Sequence, residues 1–362
     1  MVDQRVEFVG LARQPEANVS ELCRRFGISR KTGYKWLGRD SLLDMSRRPH
    51  ASPRRTADPV EVQVLKVRDA NPAWGGRKIA HVLQRDFSIN VSSSTITSVL
   101  HRHGRIGEQA SQAATRWQRF EHDAPNSLWQ IDFKGHFATA EQRCHPLTML
   151  DDHSRFNIVL EALADEQRVS VQPVLQRAFE RFGLPERINA DNGPPWGNGG
   201  QGGLTKLAVW LIRHGIRISY SRPLHPQTNG KEERFHRTMK AEVLARHSFR
   251  DVAEAQSCLT RWRHVYNYER PHQALAMQTP GSRYRPSARR FPAQVPDIEY
   301  LNDDLVRKVQ QGGWFTLHGH EIRTSPTLVG QPVACRPLDR DGEFALFFCH
   351  QKIDEISLKE LC

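Results

Sequence analysis

Apolar positions recur at helical spacing over the first hundred residues, then alternate in strand fashion, then end in short runs parted by turns. Within Val19–Leu37, Leu22 and Phe26 share one face at i and i+4. Gly27 suits a left-handed turn, and Ser29 suits the cap of a following helix. The pattern predicts a helix-turn-helix domain over 1–45. Ile28, Tyr34 and Leu37 are expected to face inward, and Arg30, Lys31 and Lys35 outward, as a helix in a DNA major groove requires. Further on, Val60–Ala70 reads as an amphipathic helix, 74–83 as a second, and Ser93 and Ser94 are expected to cap a third over Thr95–His103. This is a second helix-turn-helix-like unit, 58–104, for which DNA binding and plain packing both stand. His101 and His103, at i and i+2, point apart on a helix and read as a loose surface pair rather than a metal site.

From Ser127 the texture changes. Strands are expected at 128–136, 145–151 and 155–162. A helix over 166–183 would bury Val169, Val171, Val174, Leu175 and Phe179. A strand at 187–190, a helix at 204–214, a strand at 216–220 and helices at 230–247 and 251–268 follow. Three consecutive strands and then β-α units predict a mixed sheet flanked by helices, a core spanning 127–285. The last part, 296–362, has short strand-like runs and the turn Asp339–Gly342, the pattern of a small β-barrel. Polar segments at 46–57 and 105–126 read as linkers. The expected fold class is multidomain α/β.

Charge narrows the partners. The 362 residues carry 52 Lys and Arg against 40 Asp and Glu, a net +12. Half the excess lies in residues 1–57, with 12 basic and 6 acidic side chains. Such an excess favours a polyanion through counterion release. The linker's Arg47 and Arg48 stand in an arginine- and proline-rich stretch that reads equally as a minor-groove contact or a solvated tether. Six scattered cysteines with no C-x-x-C pair argue against a disulfide framework or a cysteine zinc site. No signal-peptide pattern opens the chain, and no apolar run approaches the roughly 18 residues of a membrane span. A cytoplasmic location is expected, nucleoid-associated when the protein is on DNA.

Three carboxylates suggest chemistry. Asp132 lies in the apolar alternation of 128–135, where it has no local structural task. Asp191 follows the run 187–190 and opens the turn Asp191-Asn-Gly-Pro194. Glu233 sits in the first turn of a basic helix after His225-Pro-Gln-Thr-Asn-Gly230. Singly, a strand-end Asp is often a turn residue, and a first-turn Glu complements the helix dipole. Together such acids can hold Mg²⁺ against a phosphodiester and activate water or a 3′-hydroxyl. Glu233, His236, Arg237 and Lys240 fall at i, i+3, i+4 and i+7 and are expected to share a face that DNA follows.

Trp129-Gln-Ile-Asp132, Leu150-Asp-Asp-His-Ser-Arg155, Ala190-Asp-Asn-Gly193, His225–Arg237 and Tyr266–Leu275 together resemble the motifs of bacterial insertion-sequence transposases of the DDE superfamily, which includes retroviral integrases. The head, Cys23–Trp36, resembles their terminal-repeat-binding region. The resemblance covers nearly the whole chain. It implies an RNase H-like core with Asp132, Asp191 and Glu233 as the catalytic, metal-holding triad. Two residues separate the loop glycine, Gly230, from the family's catalytic Glu, which selects Glu233 over Glu232. Asp151 and Asp152 read as structural. The 41 residues between Asp191 and Glu233 make a long spacer, to which the glycine-rich 197–203 contributes. The retroviral zinc module is absent from the head, where helix-turn-helix units stand instead. Two Mg²⁺ or Mn²⁺ ions per site, double-stranded terminal-repeat and target DNA, and a homo-oligomer on DNA are implied, with no membrane and no nucleotide cofactor. A DNA-binding regulator with an inactive core, or a two-metal nuclease without strand transfer, remains an alternative.

Overall fold

The computed structural model describes residues 2–44, 55–106, 121–198, 203–221 and 230–360. Arg47 and Arg48 lie outside them. The chain divides into two compact units, 1–57 and 58–362.

The first unit is three helices, α1 (Val2–Ala12), α2 (Val19–Arg25) and α3 (Arg30–Leu37). Asn18 caps α2, its side chain accepting from the Ser20 and Glu21 amides, and Ser29 caps α3 through the Thr32 amide. Gly27 takes the left-handed turn between them (φ +60°). The sequence pattern did not reveal α1, which supplies the centre of this core. Its Phe8 meets Phe26 and Trp36 edge-on, with ring centroids 5.5 and 5.6 Å apart. The face of α3 that meets α1 and α2 carries Gly33. A Cβ there would come within 2.6 Å of Cys23 Sγ and 2.9 Å of Phe8 Cζ. Seating Gly33 inward turns its neighbour out. Tyr34 is 60% exposed, not buried as expected.

The second unit begins with α4 (Asp58–Ala70), α5 (Gly76–Phe87) and α6 (Ser93–Arg102), packed around Val64, Trp74, Ile79, Leu83, Ile96 and Leu100. The cap of α6 is Ser92, one residue before the expected pair, its Oγ accepting from the Thr95 amide at 3.1 Å. His101 and His103 are exposed, and His103 Nε2 meets the buried Glu61 carboxylate at 2.9 Å.

The central sheet comprises β1 (Trp129–Phe133), β2 (Phe137–Ala138), β3 (Arg143–Asp151), β4 (Asn157–Leu163), β5 (Arg187–Ala190) and β6 (Arg217–Tyr220). Across it the order is β4-β3-β1-β5-β6, with β2 pairing the start of β3. The first hairpins are antiparallel; β1, β5 and β6 run parallel. The helices are α7 (Arg168–Phe182), α8 (Lys206–Arg213), α9 (Gly230–Met239) and α10 (Val252–His264). Alternation in β1 divides the core. Trp129 and Ile131 belong to the apolar cluster of α7 and α8, whereas Leu150 and Leu160 of β3 and β4 pack with Phe235, Met239, Leu259 and Trp262 of α9 and α10. In α7 the apolar face starts at Val171; Val169, in the first turn, is 63% exposed rather than buried. Both long C-terminal helices are shorter than the sequence suggests, because each ends in a π-helical turn, Lys240–Leu244 and Val265–Glu269. Val265 packs against the apolar cluster of the three-helix bundle, and Arg85 of α5 donates to the Glu269 carbonyl, so bundle and core are joined here.

The C-terminal part has β7 (Leu305–Lys308), β8 (Trp314–Leu317), β9 (His320–Arg323), β10 (Pro332–Pro337), β11 (Glu343–Phe348) and β12 (Gln351–Ser357). The expected barrel is a four-stranded antiparallel sheet, β12-β11-β10-β7, with a separate β8-β9 hairpin. Its interior is continuous with the apolar cluster of the core. No described helix is long and apolar enough to cross a membrane.

Candidate active site

The parallel pairing of β1 and β5 sets Trp129 against Ile188 and Gln130 against Asn189. Asp132 and Asp191 each follow three residues after the first of these partners, so they come level at the same end of neighbouring strands. Asp191 is the first residue past β5, and its Oδ1 accepts from the Gly193 amide at 3.2 Å. Burial first, and then the Asp191 charge, push the Asp132 carboxyl up to about 7, with Glu166 and Glu233 adding to the effect. Burial and Glu166 push Asp191 up as well. No Lys or Arg among the described residues pairs with either acid. The nearest basic group, His236 Nδ1, lies 4.0 Å from Asp132 Oδ2, and burial lowers its pKa to about 4, which leaves it uncharged at neutral pH.

Helix α9 carries the remaining acids. Glu233 is exposed, and its charge is felt by Asp132. Glu232 is completely buried beside Thr148 and His236, and burial followed by the Asp132 charge drives its pKa well above the carboxylate range. Arg237 and Lys240 are exposed with Glu233. His236 departs from that expected DNA face: it is 9% exposed, and its Nε2 lies 2.8 Å from Thr148 Oγ1. The reason is the helix's seating, which turns Glu232, Phe235, His236 and Met239 to the sheet. In the first unit, Arg30, Lys31 and Lys35 project from α3 around the exposed Tyr34, and no acid among the described residues pairs with them.

Sequence reasoning missed Glu166. It precedes α7, its Oε1 takes His145 Nδ1 at 2.8 Å, and its charge reaches both Asp132 and Asp191. Only the fold brings that loop to the two strands. The neighbouring acids Asp151 and Asp152 have structural partners. Asp151 accepts from the Asn126 amide at 2.7 Å and the Ser154 amide at 2.8 Å. Asp152 accepts from the His122 amide at 2.9 Å and from Gln130 Nε2 at 3.1 Å, and pairs with Lys231.

Among the described residues, no three His, Cys, Asp or Glu side chains are close enough together to hold one metal ion. The acids around Asp132 nonetheless offer oxygen donors that repel one another, with no Lys or Arg partner among the described residues. Those are the properties that a hard divalent cation relieves.

Residues 122–226 and 214–280 match integrase core domain models, residues 32–100 a homeodomain-like domain, and residues 304–361 the C-terminal domain of IS481 family transposases. An uncharacterized 31.7 kDa protein of insertion element IS407 from Burkholderia multivorans is 28% identical over 275 residues, 74% of this chain and 92% of that protein. A 39.2 kDa protein of IS476 from Xanthomonas euvesicatoria is 28% identical over 156 residues, 43% of each chain. The Gag-Pol polyprotein of baboon endogenous virus is 27% identical over 46% of this chain and 10% of its own. Among solved structures, the integrase catalytic core of HTLV-2 in complex with magnesium has 16% identity and a TM-score of 0.32 over 45% of this chain and 99% of its own, too distant to carry an argument.

Proposed function

We propose that this chain, a bacterial insertion-sequence transposase with the integrase core of a DDE-type polynucleotidyl transferase, binds the terminal inverted repeats of its element, frees a 3′-hydroxyl at each end and joins it to target DNA. The observation that supports this reading most is the Asp132–Asp191 pair: two level carboxyls at the ends of adjacent parallel strands, each pushed up by burial and by other acids, with no Lys or Arg among the described residues to match them.

Asp132, Asp191 and Glu233 are the groups that would hold two Mg²⁺ or Mn²⁺, which would supply charge to lower the pKa of the attacking water or 3′-hydroxyl and to offset charge on the phosphate. Arg237, exposed one turn along α9 from Glu233, and Lys240, exposed at the start of the π-helical turn that follows, hold the DNA backbone so that the scissile phosphate meets the acids. Neutral His236 lies against Asp132 without neutralising it. Attack is in line and no covalent protein-DNA bond forms, so no Ser or Tyr nucleophile is required.

Residues 1–45 recognise the repeat. Arg30, Lys31 and Lys35 meet phosphates and base edges, and the exposed Tyr34 between them meets the groove floor. Residues 46–57, with Arg47 and Arg48, and 58–104 extend this contact. Residues 127–285 carry the chemistry and 296–362 complete the assembly, with several copies acting together on DNA. The test is a strand-transfer assay with a labelled terminal-repeat end and a supercoiled target. Joined product supports the reading, and cleavage with no joined product assigns the protein to nucleases instead.

A further inference from the structure

A carboxyl that the sequence pattern sets aside occupies the most connected position near Asp132. Glu232 is completely buried, one residue before Glu233 on α9, on the face of the sheet that is otherwise packed with Leu150, Leu160, Phe235 and Met239. Its Oε2 lies 3.0 Å from Thr148 Oγ1 and 3.6 Å from His236 Nε2. Its Oε1 is buried with no hydrogen-bond partner. An apolar side chain would fill such a place without the cost of desolvating a carboxyl, and replacing buried charged groups with apolar ones is often neutral or stabilising. The contacts of Glu232 with Thr148 and the Leu150 backbone amide offset only part of that cost, because Oε1 is left unpaired.

The contacts supply a reason for a Glu here. Thr148 stands directly opposite Asp132 in the antiparallel register of β1 and β3, and its hydroxyl lies 2.9 Å from the Asp132 main-chain carbonyl. The same hydroxyl lies 2.8 Å from His236 Nε2, while the other ring nitrogen of His236 faces the Asp132 carboxylate at 4.0 Å. Glu232 also meets the Leu150 backbone amide, but its two side-chain routes end on Asp132, one at its backbone and one at its side chain. We infer that Glu232 is a positioning residue: through Thr148 and His236 it fixes the place of the Asp132 carboxylate, and with it the affinity of the site for a divalent ion. This rests on the reading of Asp132 as a metal-holding group. Partners of this kind behind a metal ligand typically contribute about 10–100-fold in affinity or activity.

The experiment is a Mn²⁺ titration of the full chain followed by thermal melting, with DNA affinity measured alongside. E232L is expected to melt at or above the wild-type temperature without metal. Its Mn²⁺ concentration for a half-maximal melting shift should rise about 10–100-fold. T148V, which removes only the hydroxyl, should move in the same direction. Because the two residues share one network, the double variant should be no worse than the poorer single. E232Q, which keeps the shape and the contact to Thr148, should stay within a few-fold of wild type. Unchanged midpoints in both E232L and T148V would overturn the inference, and T148V decides the matter if E232L does not fold. Complete loss of the shift in E232Q would also overturn it, because Glu232 would then be a ligand itself. D132N is the control. If it keeps the full Mn²⁺ shift, the reading of Asp132 fails. If it loses the shift while E232L and T148V do not move, only the role of Glu232 fails.

Discussion

Two pairs of acids stand at strand ends of the same sheet, and their surroundings differ in kind. Asp151 and Asp152, at the end of β3, accept four backbone and side-chain N–H groups from Asn126, Ser154, His122 and Gln130, and Lys231 neutralises one of them. Asp132 and Asp191 stand at the ends of the adjacent strands with one backbone amide each, from Phe133 and Gly193, no Lys or Arg partner among the described residues, and the charge of further acids, Asp191, Glu166 and Glu233 on Asp132 and Glu166 on Asp191. Both pairs read alike along the chain, as Asp beside an apolar run. What separates them is how many N–H partners the fold supplies. Where it supplies several, the acid ties segments together. Where it supplies few, the acids are the ones proposed to take a divalent cation.

The largest expected effect comes from removing that cation. Excess chelator should abolish both cleavage and joining, and added Mn²⁺ should restore them; a gel assay on a labelled repeat end checks this. Next comes pH. Because the Asp132 pKa is raised in the folded protein, its contribution to stability is full below the unfolded value of about 4 and is lost as pH rises through about 7. Metal-free wild type should therefore lose stability relative to D132N across that window, by on the order of 2–4 kcal/mol, as read by denaturant titration at pH 4 and pH 8. Added metal should close the gap. Burial pushes Asp151 up as well, so the other pair is told apart by its partners and not by pH. D151A leaves buried N–H donors without partners and should cost about 1–3 kcal/mol for each, with no change in metal dependence. Equal metal dependence of D151N and D132N would dissolve the contrast. The smallest effect concerns the head. K35A should reduce the salt slope of DNA binding by about one, whereas Y34A should narrow the gap between repeat and random DNA and leave that slope unchanged.

Much of this was legible in the chain. The alternation of 128–135 gave a strand with Asp132 on it, and Ala190-Asp-Asn-Gly193 placed Asp191 just past another. Periodicity gave α2, α3 and the helices of the core. It failed where a single close approach decides orientation. Gly33 seats α3 by its lack of a side chain, and no hydrophobic count shows that Tyr34 must then face out. It failed again on α9, where i, i+3, i+4 and i+7 spacing grouped His236 with Arg237 and Lys240, although the sheet claims His236. Val169 shows the same limit in the first turn of α7. Glu166 and the difference between Glu232 and Glu233 depend on contacts between distant segments, which local spacing does not encode.

The most direct test of the Asp132–Asp191 pair compares wild type, D132N and D191N in one strand-transfer assay, with repeat-DNA affinity measured on the same preparations. Each substitution should lower joining on the order of 10³-fold or more, the scale on which loss of transition-state charge stabilisation is felt. Affinity for the repeat should stay the same or tighten as a negative charge is lost. Joining by D132N or D191N at the wild-type rate would contradict the account.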